Sequence, residues 1–320
     1  VTVLVTGGAG YIGAHVVRLL VASGLPVVVV DDLSTGDADR LPGVALEVMD
    51  LAASSAVERL SRLMAERGVT DVVHLAARKR VEESVRRPAW YYQQNVTGLA
   101  QVVSAMEDAG VGRLVFSSSA AVYGETGLVD VDEDATTRPV NPYGETKLAG
   151  EWLVRAAADA GVLRAISLRY FNVAGAGWPD LGDHEDANLV GIVLARLERG
   201  EAPVIFGDDF ATEDGTGVRD FVHVLDLARA HLAALDHLAG SPDRHEVLNV
   251  GTGRGTSVRE VVSGLCALTG SDVEPVRAGR RPGDPARVVA ATGRIERVLG
   301  WRPEATLHDM LASAVAARRR

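Results

Sequence analysis

Cysteine is almost absent from this chain of 320 residues. Cys266 is the only one, so an intramolecular disulfide is impossible and a reducing, cytoplasmic setting is expected. Set in the apolar run Val261 to Leu268, it reads as a small core residue rather than a nucleophile. Basic residues are outnumbered, 33 Lys and Arg against 43 Asp and Glu, and the formal charge of -10 argues against a nucleic-acid groove. No apolar run approaches membrane-spanning length, and Val1 to Val5 already reads as a strand rather than a signal peptide. The eight histidines show no metal-ligand spacing, and His184 beside Glu185 and Asp186 reads as loop charge. No internal repeat or low-complexity segment is visible.

What is present begins with glycine. The apolar, β-branched run Val1 to Val5 leads straight into Gly7, Gly8, Gly10 and Gly13, and His15 to Ala22 continues as an apolar-periodic helix. Glycines let a backbone turn tightly and approach a pyrophosphate, whose charge meets the free amides of the helix N-terminus. A second strand, Val27 to Val30, ends in Asp31-Asp32, where an acid accepts hydrogen bonds from an adenosine ribose. An acid repels a 2′-phosphate and no Arg immediately follows, so NAD rather than NADP is expected. Downstream of Ser117-Ser118-Ser119, Tyr143 and Lys147 stand four residues apart, which places them on one helix face. Spacing alone equally suits a packed aromatic beside a solvated charge; the dinucleotide loop is what favours chemistry. Bringing a phenol from about 10 to about 7 takes roughly 4 kcal/mol, which a nearby cation and an oxidised nicotinamide can supply. Asn141-Pro142 reads as the turn that starts this helix.

Further strands are expected at Val44 to Met49, Val72 to Leu75, Leu114 to Ser117, Leu163 to Leu168 and Val247 to Val250. Helices are expected at Ala56 to Glu66, Val96 to Ala109, Tyr143 to Ala158 and Leu225 to His237. This alternation predicts an α/β fold with a doubly wound parallel sheet and ligands at the carboxyl ends of its strands, where Asp50-Leu51, Ala76-Ala77 and Ser117 to Ser119 fall. From about Trp178 the texture changes. Asp180 to Ala187, Gly207 to Gly217 and Arg277 to Arg287 are long polar loops, read as binding loops of a second, smaller domain. The expected division is a dinucleotide-binding domain at 1–171 and 221–251 and a substrate domain at 172–220 and 252–320. Arg318-Arg319-Arg320 reads as a solvated helix end.

Over its whole length the chain resembles the extended short-chain dehydrogenases/reductases and, more narrowly, the UDP-galactose 4-epimerase (UDP-glucose 4-epimerase) family. The likeness rests on Gly7 to Gly13, Phe116 to Gly124, Asn141 to Lys147, Arg169 to Ala176 and, most specifically, Thr212 to Val224. It implies a Rossmann-like sheet, a tightly held NAD and a UDP-hexose substrate oxidised at C4, turned over and reduced on its other face. Ser119 would hydrogen-bond the reacting O4, Tyr143 would be the base, and Lys147 the cation that also holds the nicotinamide ribose. The resemblance carries NAD contacts onto Gly7, Gly10, Tyr11, Ile12, Gly13, Asp31, Asp32, Asp50, Leu51, Ala76, Ala77, Lys79, Asn95 and Tyr170. It places Asn172, Asn188, Leu189, Arg219, Arg281, Asp284 and Val288 on the nucleotide sugar, where an Arg fork suits a diphosphate. It also implies a homodimer, for which apolar positions in Val96 to Ala109 and Glu151 to Ala158 would serve, though they equally suit the chain's own sheet. Ala121 stands where Thr is often found, and Val288 where some members carry Tyr, so room for the N-acetyl group of UDP-GlcNAc and UDP-GalNAc is expected. Ala120-Ala121 lacks the acid pair of a 4,6-dehydratase. A UDP-glucuronate 4-epimerase remains the nearer alternative, and a silent NAD-sensing regulator the more distant one.

Overall fold

The structure, a computed structural model, describes residues 1–127, 130–241, 243–281 and 283–319. Pro282, inside the motif that runs from Arg281 to Asp284, and Arg320, expected in the solvated helix end, lie outside the described residues. In chain order the strands are β1 (Thr2–Thr6), β2 (Val27–Asp31), β3 (Ala45–Val48), β4 (Val69–His74), β5 (Arg113–Ser119), β6 (Arg164–Tyr170), β7 (Asn172–Ala174), β8 (Val204–Phe206), β9 (Val218–His223), β10 (His245–Val250), β11 (Gly255–Ser257), β12 (Val276–Ala278) and β13 (Arg287–Val288). The α-helices are α1 (Tyr11–Ala22), α2 (Ala56–Arg67), α3 (Val81–Arg86), α4 (Pro88–Tyr92), α5 (Gly98–Ala109), α6 (Pro142–Asp159), α7 (Leu189–Glu198), α8 (Val224–Gly240), α9 (Val258–Thr269), α10 (Gly293–Leu299) and α11 (Leu307–Arg318).

Seven strands, all parallel, lie in the order β10-β6-β5-β4-β1-β2-β3. β1 and β2 are buried in all but their first residue, because a strand covered on both faces has no polar side to present. α1 and α8 pack on one face of the sheet and α2 and α5 on the other. From β1 the chain winds outward to β2 and β3, and from β4 it winds the other way to β5 and β6. A crevice opens beyond the carboxyl ends at such a reversal. The expected doubly wound sheet is the observed one.

A smaller layer follows. β7, β11 and β13 all pair with β9, and β8 pairs with β12. Its core, with Val193, Leu194, Phe221, Val261, Leu265 and Leu311, is separate from those of the large sheet. The crossing takes one residue: β6 ends at Tyr170, β7 begins at Asn172, and the Phe171 amide between them donates to Val250 O of β10 at 3.1 Å. Residue 221 lies inside β9, and the large sheet recovers the chain at β10 after α8.

Two helix expectations change in detail. Leu99, Val102, Val103 and Met106 of α5 join Leu60 and Met64 of α2 in one buried cluster, so the apolar side of this helix covers its own sheet. α5 is entered through a π-turn, Gln93–Thr97, that sets Asn95 facing inward. Arg318 is not a solvated end: its side chain is largely covered and donates to Glu198 Oε1 at 2.9 Å and Asp186 Oδ1 at 3.0 Å.

Candidate active site

At the β1/β4 reversal, a cleft gathers most of the expected cofactor residues: Gly7, Gly10, Tyr11, Ile12, Gly13, Asp31, Asp32, Asp50, Leu51, Ala76, Ala77, Lys79, Tyr143, Lys147 and Tyr170 all line it. The glycines are required by contact. A Cβ on Gly13 would lie 2.1 Å from Gly7 O, and one on Gly7, at φ +71°, would lie 2.6 Å from Ala76 N. No side chain caps the start of α1 and no acid sits in its first turn, so its amides are available to an anion. Asp31 is buried, and its carboxylate accepts from Ala9 N at 3.0 Å and Leu33 N at 2.9 Å, which still leaves lone pairs for ribose hydroxyls. Burial pushes its pKa up against those two amide bonds. Glycine cradle, open helix end and acidic strand end together fit an adenine dinucleotide.

Asn95 stands behind this cleft rather than in it. Its amide bonds both the N–H and the carbonyl of Arg78 and donates to Thr146 Oγ1, so it ties the loop after β4 to α6. Arg78 is a cleft residue that sequence reasoning missed. It pairs with Asp32 and bonds Gln94, so an arginine does reach the acidic strand end, from a different strand. Glu185 was also missed; it lines the cleft and pairs with Lys79 at 3.6 Å and Arg80 at 3.4 Å. The basic run Arg78-Lys79-Arg80 in the loop after β4 was the available signal for the first, and the second falls in Asp180 to Ala187, expected to be a binding loop although Glu185 itself read as loop charge.

The expected catalytic residues meet where β5 and β6 end. Asn141 caps α6, its Oδ1 accepting from Gly144 N at 2.9 Å, and Pro142 occupies the first turn, so Tyr143 and Lys147 start the helix facing β5. The Ser119 hydroxyl faces the Tyr143 phenol, and Lys147 Nζ donates to Ser117 O at 2.7 Å. Burial pushes the Tyr143 phenol up while the Ser119 hydroxyl acts downward. Burial also pushes Lys147 down to about 7, opposed by the Glu151 charge. The expected lowering of the phenol by Lys147 is therefore not a property of the protein alone; a positive ring arriving beside the pair has to supply it. His74, stacked on Phe116, is pushed down to about 3 by burial and then by the Lys147 charge, which leaves it neutral.

The expected substrate residues lie on the smaller layer, outside the cleft lining. Asn172 is exposed on β7, opposite Phe221 of β9. Asn188 caps α7 through Gly191 N at 2.9 Å and donates to Asp183 at 2.7 Å, with Leu189 partly buried beside it. Arg219 of β9 pairs with Asp284 at 2.5 Å. The Arg281 guanidinium sits 4.5 Å from the ring of Phe206, an aromatic left 37% exposed that sequence reasoning did not single out. Val288 is buried against Val122, Tyr123 and Phe171, with Arg287 turned outward to Asp130. Among the described residues no group of His, Cys, Asp and Glu could hold a metal ion. A second depression at the opposite ends of the strands is lined by Arg113, Arg164 and Arg244. These are occupied by Asp71 and by the carbonyls of Ser241 and Asp159, so no chemistry is placed there.

Comparison with known proteins agrees with this geometry. The sequence model described as "NAD dependent epimerase/dehydratase family" matches residues 3–251. The chain belongs to that family. A UDP-glucose 4-epimerase of Azospirillum brasilense is 44% identical over 317 residues, covering 98% of this chain and 89% of the relative. The structure of a UDP-glucose 4-epimerase from Stenotrophomonas maltophila, with bound NAD and formylated UDP-arabinopyranose, superposes with a TM-score of 0.93 at 38% identity, over 99% of this chain and 98% of that one. A UDP-Glc/GlcNAc 4-epimerase from Campylobacter jejuni superposes with a TM-score of 0.87 at 33% identity, over 100% and 99% of the two chains.

Proposed function

We propose that this chain is an epimerase that interconverts UDP-glucose and UDP-galactose with a tightly held NAD, and so serves galactose metabolism. The observation that carries the reading is the meeting of Ser119, Tyr143 and Lys147 at the mouth of a dinucleotide cleft, in a chain 44% identical to a UDP-glucose 4-epimerase. NAD, when bound, would supply the acceptor and then the donor of a hydride at C4. Tyr143 takes the O4 proton, Ser119 orients O4, and Lys147 steadies the phenolate and the nicotinamide ribose. The glycine cradle, Asp31, Asp32, Lys79 and the loop that Asn95 braces hold the cofactor. Arg219, Arg281, Asn172 and Asn188 hold the diphosphate and ribose, and the exposed ring of Phe206 supports the uracil by stacking. Anchoring the nucleotide rather than the hexose is what lets a 4-keto sugar turn.

The division into a cofactor unit (1–171, 221–251) and a substrate unit (172–220, 252–320) is part of this proposal, supported by the separate cores of the two layers except at 221, where the cut falls inside β9 and Phe221 belongs to the core of the smaller layer. So is a homodimer. Trp152 of α6 is 55% exposed, with Val85, Tyr92 and Val140 also exposed as large apolar side chains. Light scattering of the purified chain tests it, and a monomer mass would remove it. No described helix is long and apolar enough to cross a membrane. Turnover of UDP-galactose, UDP-N-acetylgalactosamine and UDP-galacturonate, assayed side by side, tests the activity. Turnover of the uronate alone would overturn it.

A further inference from the structure

α6 carries a third polar group on the face of its two reacting ones. Tyr143, Lys147 and Glu151 follow at four-residue intervals, one turn above another. Glu151 is buried away from the cleft. Its carboxylate accepts from the Ser118 hydroxyl, from Arg169 Nε at 2.9 Å and from Arg169 Nη2 at 2.7 Å. Three consecutive serines of β5 thus grip three successive turns of α6: Ser119 meets Tyr143, the Ser117 carbonyl meets Lys147, and Ser118 meets Glu151.

Resting on the epimerase reading and deepening it, we infer that Glu151 is a positioning residue. It holds α6 in register on β5 through Ser118 and sets a carboxylate one helical turn from Lys147 on the same face. Burial works against the Lys147 proton, and Glu151 is the group that opposes burial. The other groups around this core do not replace it. From β4, His74 is neutral. From β6, Arg169 is fully engaged by Glu151, the Tyr123 hydroxyl and Glu133 O, and the Tyr170 phenol is pushed up by burial. From β10, His245 is pushed down by burial and bonds Ser167. On the outer side Glu83 of α3 and Glu145 of α6 are engaged by Tyr91 and Tyr92. Glu151 therefore combines the right charge with the right helix face.

The chain offers an unusually clean test, because its sequence contains two lysines, Lys79 and Lys147. Protein labelled with carbon-13 at the lysine ε-carbon gives two signals, assigned with Lys79→Arg, and its titration is read without any assay of turnover. In Glu151→Gln the Lys147 midpoint is expected to fall by at least about one pH unit, while Glu151→Asp keeps it. The alkaline limb of the pH–turnover profile moves with it, so that turnover above neutrality drops by about tenfold more than turnover below it. Ser118→Ala, which removes a hydrogen bond and keeps the charge, lowers turnover at every pH and leaves the midpoint in place. Should Glu151→Gln fail to fold, Arg169→Gln, which keeps the carboxylate and removes the cation that engages it, is expected to raise the midpoint instead. An unmoved Lys147 midpoint in either folded variant overturns the inference. An absent turnover in the unmutated chain with a shifted midpoint would instead count against the epimerase reading alone.

Discussion

Tyr143 and Lys147 are held in opposite senses from their ordinary chemistry, the phenol up and the ammonium down to about 7, both first of all by burial. A reactive pair is thereby kept quiet until charge enters the cleft. Tyr143→Phe should lower turnover by about 10²–10⁴-fold while the protein still copurifies with NAD, measured by denaturing extraction of the cofactor. Turnover near that of the unmutated chain would remove Tyr143 from the mechanism. At Val288, only 9% exposed, the ring of a Tyr would have to enter the cluster with Phe171 and Tyr123 or turn toward the sugar. Val288→Tyr is expected to depress kcat/KM for UDP-N-acetylglucosamine by a penalty of about 1–3 kcal/mol while sparing UDP-glucose. Equal losses on both sugars would show that the valine is packing alone. At this scale the sequence was legible wherever partners are close in the chain, as with the four-residue step from Tyr143 to Lys147. Glu185 with Lys79, or Glu151 with Arg169, could not be seen, because folding alone brings those pairs together.

Among the elements, α6 is the one to test because it carries the proposed catalytic pair on its first turns. Asn141→Ala removes the side-chain cap and should cost about 1 kcal/mol in urea denaturation, with a larger proportional loss of turnover because the frayed end holds Tyr143. Unchanged turnover beside that stability loss would separate the cap from catalysis. Gly13→Ala sets a methyl 2.1 Å from Gly7 O and should yield protein without NAD, read from the absorbance of the extracted cofactor. The strands of the large sheet were readable as apolar, β-branched runs, and the helices between them by their period. β7, β8 and β11 to β13 were not, since two or three residues carry no period. α9 was missed although Ser257 and Glu260 form a capping box, a signal present in the sequence.

For the molecule as a whole, neutral histidines set an acid limit. Burial lowers His15 to about 4, His74 to about 3 and His231 to about 4. Below the ordinary 6.5 the unfolded chain takes up protons that the folded one refuses. Stability is therefore intact above 6.5 and lost as pH falls toward 4, by up to about 4 kcal/mol per pH unit if the three titrate together. Asp31 and Asp220, raised by burial, act in the other direction and reduce that slope. Urea midpoints at about pH 7 and about pH 5 check the sign; a flat or rising midpoint would contradict it. The sequence showed a change of texture near Trp178 and put a division between residues 171 and 172; the chain leaves the large sheet at Phe171. That crossing is one buried residue, Phe171, tied by its amide to β10 and packed beside Val288. So short a tether works like a rivet rather than a hinge, holding the start of the smaller layer against the carboxyl end of β6 and β10. On the proposed reaction, such a fixed join leaves the turning to the sugar and lets one cofactor serve successive substrates.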